Sequence, residues 1–341
     1  MPHDSTVGDV AVIIPCYKVK RHILDVIAGV PAWISKIYVV DDCCPQQTGD
    51  HVESHCNDTR VVVLRNDRNR GVGGATMHGY RIAAERGAAI LVKIDGDGQM
   101  DPAFMRPLVR PIARGEADYT KGNRFYDLTH IGTMPRARIF GNAMLSMMSK
   151  ASTGYWDIFD PTNGYTALHA SMVAHIPLDR ISERYFFESD MLFRLNTFRA
   201  RVADVPMHAR YGDEVSNLRI GAIIGDFLFR HIRNGLKRIF YNYFLRDASL
   251  ASIQLIAGSA FVATGIIAGT AFWYQSFRSG DVTTAGEVMI SALPIIVGIQ
   301  LLVGFLAYDI ANTPNRALHP LLSQDAEDQD AAASRPTDQA R

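Results

Sequence analysis

A surplus of either charge is what this 341-residue chain most plainly lacks: 35 lysines and arginines are matched by 35 aspartates and glutamates. Without a basic excess, the sequence indicates no nucleic-acid partner. Cysteine is scarce, at four residues. Cys16, Cys43, Cys44 and Cys56 show no paired metal spacing, and two of them are adjacent. They read as free thiols of a reducing cytosol. The eleven histidines include no His-x-x-x-His with a third partner, so no zinc is assigned. The opening MPHDSTVGDV lacks the basic-then-apolar pattern of a signal peptide. Charge is also missing locally. It fills the first two thirds of the chain, nearly vanishes from two late segments, and returns in an acidic-leaning tail.

The densest chemistry sits in Lys93–Pro102, KIDGDGQMDP, just after the apolar run Ala88–Val92. That run reads as a buried strand. Asp95 and Asp97 follow, separated by Gly96, with Gln99 two residues on. Hard oxygen ligands gathered at a strand end suit Mg²⁺ or Mn²⁺, which could in turn hold a diphosphate. The same residues would also serve a polar turn, so the neighbouring segments must decide.

Val10–Ile14, Ile37–Val40 and Arg60–Leu64 read as strands, and Ile23–Val30 and Gly71–Arg86 as helices. Strands alternating with helices predict an α/β fold, a mostly parallel sheet covered on both faces. Ligands in such sheets bind beyond the carboxyl ends of the strands. Three of these ends carry Pro15–Tyr17, Asp41–Asp42 and Asp95–Asp97. The glycines at 71, 73 and 74 are not a dinucleotide fingerprint, because they follow a third strand and not a first one. Gly73 instead suits a helix start packed close to ligand or sheet. Further on, Tyr119–Phe125, Tyr165–Leu168 and Val202–Val205 offer strands, while Arg136–Met148 and Tyr185–Phe198 look helical.

The last third changes character. Residues 221–247 read as an amphipathic juxtamembrane helix, with Ile223, Phe227, Leu228, Leu236 and Phe240 among its apolar residues and Arg230, Arg233, Lys237 and Arg238 on its polar face. This pattern fits an anionic membrane surface. Ala248–Phe277 and Val288–Tyr308 then carry no charge. Both are long enough to cross a hydrocarbon core. They predict a two-helix transmembrane hairpin over 248–310, with spans at 248–275 and 287–309. Basic residues before the first span put that side, and the catalytic domain, in the cytoplasm at the inner membrane. Glycines at 258, 265 and 269 permit close helix contact in lipid, including within a homo-oligomer. The tail, 311–341, is expected to be disordered, its Ser323–Arg341 part being polar and rich in Ala, Asp and Gln.

In order and spacing, these segments resemble the family 2 glycosyltransferases of the GT-A fold, in the branch of dolichol-phosphate mannose synthase and bacterial polyprenyl-phosphate sugar synthases. VIIPCYK resembles V-I-P-x-Y-N-E, with Lys18 and Val19 replacing Asn and Glu. VVDDCCPQQTGD resembles V-V-D-D-G-S-x-D, with Cys43–Cys44 in place of Gly–Ser. NRGVGGATMHGY, DGDGQMDP, KGNR, DPTNGYTAL and YFFESDML resemble further family segments. The likeness covers roughly residues 10–220 and implies a nucleotide-sugar-binding catalytic domain over 1–220.

The resemblance also implies roles. Pro15, Tyr17 and Asp42 would line the nucleoside pocket, with Asp42 accepting a hydrogen bond from the base, Asp41 shaping that turn, and Gly73 and Gly96 close to the ligand. Asp95, Asp97 and Gln99 would hold the metal. Arg124 and Arg210 would meet phosphates, while Glu188 and Asp190 would lie near sugar or acceptor. The loop RYGDEVSNLR lacks the family's lysine; Ser216 would meet the acceptor, and Arg219 stands as the lysine's substitute. Asp160 would position the acceptor or act as base. The implied reaction is inverting, metal-dependent transfer of a hexose from a nucleotide-diphosphate sugar donor to a polyprenyl phosphate acceptor among membrane lipids. The same fold could instead serve a hydroxyl acceptor on a glycan or glycolipid, or a non-catalytic membrane-anchored sugar-nucleotide sensor. The Q-x-x-R-W motif of processive polysaccharide synthases is absent.

Overall fold

The computed structural model of the protein describes residues 8–126, 136–207 and 220–322. Strands β1 (Val10–Cys16), β2 (Lys36–Asp41), β3 (Val61–Arg65), β4 (Ile90–Lys93), β5 (Tyr119–Asn123), β6 (Thr166–His169) and β7 (Val202–Pro206) form one seven-stranded sheet. Its order is β3-β2-β1-β4-β6-β5-β7. Most pairings are parallel; β6 alone runs antiparallel, against both β4 and β5. β1 is buried along its whole length. Val10, Val12 and Ile14 join one core, while Ala11 and Ile13 join the core on the opposite face. A strand buried on both faces needs an unbroken apolar run instead of alternation, and VAVII supplies it.

Helices α1 (Ile23–Gly29), α2 (Thr48–His55), α3 (Gly71–Glu85), α4 (Met105–Ala113), α5 (Arg136–Thr153), α6 (Ser171–His175) and α7 (Phe187–Thr197) accompany the sheet. α4 escapes the sequence reading because Pro107 and Pro111 interrupt it. Yet Met105, Leu108, Val109 and Ile112 fall on one face and are buried, and that burial outweighs the proline penalty.

By its contacts the chain forms two units, residues 1–234 with 314–341, and residues 235–313. The return of the chain to the first unit corrects the expectation of a tail disordered from 311. Asp118, fully buried, accepts hydrogen bonds from the backbone N–H groups of Arg201, Leu318 and His319, and pairs with His319 Nδ1 at 2.9 Å. The His319 ring stacks on His169, centroids 4.1 Å apart. The remainder of the expected tail, 323–341, lies outside the described residues.

Helix α8 (Ile220–Phe240) inverts the usual arrangement. His231, Asn234 and Arg238 are buried, whereas Leu228, Phe229, Ile232, Leu236 and Phe240 are exposed, Phe229 to 63% and Leu236 to 64%. A short π-helical turn, Tyr241–Arg246, follows it.

The second unit is dominated by α9 (Leu250–Ser279) and α10 (Ala285–Ala311), each opened by a capping box, at Ser249–Ser252 and Thr284–Glu287. Both are long and apolar enough to cross a membrane, and their most apolar windows are only 22% and 11% buried. Their glycines are used within the hairpin. A methyl on Gly258 would come within 3.0 Å of Gly298 O, and one on Gly298 within 2.8 Å of Gly258 O. These glycines therefore account for the intrachain crossing and give no separate reason for a homo-oligomer. At the end of α10, Asp309 takes both guanidinium nitrogens of Arg238, at 2.6 and 2.9 Å, and the Tyr243 hydroxyl at 2.6 Å. Arg238 and Asp309 are both buried.

Two outcomes follow from these buried charges. Asp309→Asn leaves the Arg238 cation without its counter-charge and should destabilise the detergent-solubilised protein by ~3 kcal/mol, read as a fall in its unfolding midpoint. Arg238→Met combined with Asp309→Leu should recover much of that loss. In the first unit, burial pushes His169 and His231 down to about 4, helped at His169 by the neighbouring His319. The unfolded chain binds these protons at about pH 6.5. Stability is therefore complete above about pH 6.5 and is lost as pH falls toward 4, because the unfolded chain is then the better proton acceptor. Denaturant midpoints across that window should show the slope, and His169→Gln with His231→Gln should flatten it.

Candidate functional site

The carboxyl ends of β1, β2 and β4 lie together, with Cys16 in register with Asp41 and Ile13 with Lys93. Here the sheet hands over to loops, and the loops are stitched by carboxylates. Asp41 accepts from the Cys44 N–H at 2.7 Å and the Gly49 N–H at 2.6 Å, fixing the turn before α2. Asp42 accepts from Asn66 Nδ2 and the Arg70 N–H on Oδ1, and from the Gly71 N–H on Oδ2, at 2.7 to 2.8 Å. It thereby caps the start of α3 from a distance, where positive dipole density favours an anion. Pro15 is buried, and Tyr17 beside it is 44% exposed.

The two departures at the front of the chain acquire a physical reading. Lys18 and Cys43 both adopt left-handed backbone, with φ of 61° and 54°. Asn and Gly, which the resemblance would put there, tolerate that region best. The Lys18 N–H donates to Cys44 Sγ at 3.1 Å, and Cys44 Sγ meets Thr48 Oγ1 at 3.1 Å. The thiol thus ties the loops after β1 and β2 together, as a serine hydroxyl in its place could.

Asp95 and Asp97 lie at the mouth, both partly buried, flanking buried Gly96. Asp97 Oδ1 accepts from the Gln99 N–H at 3.0 Å. Asp95 Oδ1 stands 2.7 Å from Lys93 Nζ. Lys93 is a residue that the sequence reading left without a role. So is Lys121, whose Nζ donates to Asn163 O. Lys93 and Lys121 both sit opposite Thr166, across adjacent strands β4, β6 and β5. Glu188, from the first turn of α7, closes the group at 4.0 Å from Lys93 Nζ. Burial pushes Lys121 down to about 8, against the pull of Glu188 and Asp160. Burial likewise raises the Glu188 carboxyl, against the pull of Lys93 and Lys121. The sequence did hold a signal for both lysines. In ILVK, Lys93 shares a face with Leu91, and in YTKGN, Lys121 shares one with Tyr119, so each places a charge on a core-facing position.

Other expected site residues are placed differently. Arg124 grips Asp160 through two guanidinium nitrogens, Nε to Oδ2 at 2.8 Å and Nη2 to Oδ1 at 3.1 Å. Asp160 is 0% exposed. In this arrangement it orients Arg124. Asp190 is also turned inward, accepting from the Ser182 N–H at 2.9 Å and Asn234 Nδ2 at 3.0 Å. These bonds tie α7 to α8 and to the segment before α7. Gly73 donates its N–H to Glu183 O, and a methyl there would stand 2.3 Å from Ser182 O. It packs the start of α3 against the chain before α7. Arg210, Ser216 and Arg219 lie outside the described residues.

Known proteins are similar to this chain in family and in fold. Residues 11–176 match the family model for Glycosyl transferase family 2. Undecaprenyl-phosphate mannosyltransferase of Micrococcus luteus is 31% identical over 204 residues, covering 59% of this chain and 83% of the relative. UDP-N-acetylglucosamine–dolichyl-phosphate N-acetylglucosaminyltransferase of Methanococcus voltae is 28% identical over 170 residues, covering 50% of this chain and 67% of the relative. Among solved structures, glucosyl-3-phosphoglycerate synthase from Mycobacterium tuberculosis, in complex with Mn²⁺, UDP and glucosyl-3-phosphoglycerate, superposes with a TM-score of 0.51. It is 17% identical and covers 68% of this chain and 80% of its own, a likeness of fold.

One glycine reports on the packing beneath the acidic pair. A methyl on Gly164 would stand 2.5 Å from Lys93 Nζ and 2.9 Å from Asp95 Oδ2. Gly164→Ala should therefore split the Lys93–Asp95 contact and weaken nucleotide binding by ~10-fold, as expected when a charge-assisted bond of ~1.5 kcal/mol is lost. Calorimetric titration with UDP and GDP measures it.

Proposed function

The chain belongs to glycosyl transferase family 2, and from that premise we propose that it transfers a hexose from a nucleoside-diphosphate sugar to a polyprenyl phosphate held in a membrane. One observation carries the reading. The acidic pair Asp95–Asp97 stands at the carboxyl edge of the sheet, in a chain that also carries two helices long and apolar enough to cross a bilayer. The two relatives named above differ in the sugar they carry and share a polyprenyl or dolichyl phosphate in their names. That pattern supports the lipid phosphate as acceptor and leaves the sugar and base open.

The donor set suits Mg²⁺ or Mn²⁺. Asp95 and Asp97 offer hard oxygens, and among the described residues no group of three or more His, Cys, Asp or Glu could hold a metal. The protein would thus bring two carboxylates, with Gln99 beside them, and leave the remaining positions to diphosphate and water, as Mg²⁺ prefers. When bound, the cation supplies Lewis-acid neutralisation of the departing diphosphate. The rest falls to side chains. Asp42 has acceptor capacity left on Oδ2 for a base N–H. Pro15 and Tyr17 frame the nucleoside. Arg124, held in orientation by Asp160, would meet a phosphate. A phosphate acceptor has its second pKa at about 6, so it attacks without a protein base. The burial of Asp160 and its pairing with Arg124 are consistent with a reaction that needs none.

The outward apolar stripe of α8 supports docking on the bilayer surface, with α9 and α10 as two spans. Arg230, Arg233 and Lys237 on the polar side of the stripe favour the cytoplasmic leaflet. The domain plan is a catalytic domain over 1–220, a juxtamembrane helix over 221–247 and a hairpin over 248–310.

The full chain in detergent, supplied with Mg²⁺ or Mn²⁺, radiolabelled UDP- and GDP-sugars and polyprenyl phosphate, should yield polyprenyl-phosphate sugar. Chelator should abolish product, and Asp97→Ala should lower the rate by ~100-fold or more. Undiminished activity in both would remove the metal from the mechanism, and labelling of oligosaccharide in place of lipid would replace the acceptor.

A further inference from the structure

We propose that Lys93 is a positioning residue that pins Asp95 and offsets its charge, so that a divalent cation is retained only together with the nucleoside diphosphate. The inference rests on the metal reading above and adds an order of binding to it.

Three observations converge. Lys93 Nζ lies 2.7 Å from Asp95 Oδ1, and its side chain is 1% exposed, so the ammonium is a fixed part of the site. Gly164 lies beside both partners, and a methyl there would stand 2.5 Å from Lys93 Nζ and 2.9 Å from Asp95 Oδ2, so the pair is packed against this backbone. The surrounding charges nearly cancel. Asp95, Asp97 and Glu188 supply three negative groups, and Lys93 and Lys121 supply two positive ones within the same cluster. Glu188 is 4.0 Å from Lys93, too far for a direct hydrogen bond, so Asp95 is the closer anionic partner.

The consequence is electrostatic. A bare pair of carboxylates would attract a divalent cation strongly, whereas a pair with an ammonium against one member repels it in part. Repulsion between an ammonium and a dication a few ångströms apart, in a partly buried site, is ample to weaken binding by ~10-fold or more. A diphosphate brings the missing negative charge with it. Lys93 also holds the Asp95 carboxylate in one rotamer, so that Asp95 is pre-oriented when the complex arrives.

The test uses the full chain in detergent, with Mn²⁺ binding followed by its electron paramagnetic resonance signal, alone and with saturating UDP or GDP. Wild type should bind Mn²⁺ at least ~10-fold more tightly with nucleotide than without. Lys93→Met should tighten binding of Mn²⁺ alone by a similar factor and shrink the gain from nucleotide, while kcat falls. Lys93→Gln provides the same reading if the methionine variant does not fold. Lys93→Arg should restore wild-type behaviour, which a purely structural lysine would not predict. Equal Mn²⁺ affinity of wild type with and without nucleotide would overturn the proposal. Unchanged or weaker binding of Mn²⁺ alone in Lys93→Met and Lys93→Gln would do the same. Absence of Mn²⁺ binding even with UDP or GDP would overturn the metal reading itself, a distinct failure.

Discussion

A carboxylate removed from water must be met by donors, and the fold is arranged around that demand. Asp41 is met by two backbone N–H groups and sets a turn. Asp42 is met by the start of α3 and joins two loops. Asp95 is met by an ammonium, Asp160 by a guanidinium, and Asp190 by a backbone N–H and an amide. Asp118 gathers the returning chain, and Asp309 gathers Arg238 and Tyr243. An unmet buried charge costs several kcal/mol. Each carboxylate therefore fixes the segments that satisfy it. What differs between these sites is the donor that answers the charge: backbone N–H at Asp41, an ammonium at Asp95, a guanidinium at Asp160.

That distinction explains what could be read from the residues and what could not. The parallel core was legible because strands buried on both faces need continuous apolar runs, and Val10–Ile14 and Ile37–Val40 have them. The acidic pair was legible because Asp95 and Asp97 follow a strand end directly. The roles of Asp160 and Asp190 were not legible. Spacing gives no sign that Arg124, distant in sequence, turns back onto Asp160, or that Asn234 reaches Asp190. The antiparallel course of β6 depends on which neighbours close the sheet, a long-range fact. α4 hid behind its two prolines. Lys93 and Lys121 carry a signal of their own, a charged residue on a core-facing strand position, but spacing alone does not say which carboxylates meet them.

Helix α8 shows a different limit. Its composition announced an amphipathic helix, but composition cannot say which face turns inward. The structure buries His231, Asn234 and Arg238 and leaves Phe229, Ile232 and Leu236 outside. A helix that spends its polar groups on the protein has its apolar stripe available for something else. In water such a stripe is a liability. Against lipid headgroups it is an anchor.

The chain leaves the catalytic unit after Asn234 and re-enters it at Pro314. In topological terms the apolar hairpin is an insertion and not an appendage. Stopping translation ahead of the hairpin would therefore discard the very segment that Asp118 holds. Excision followed by rejoining of the two flanking sequences is the cut that this architecture allows.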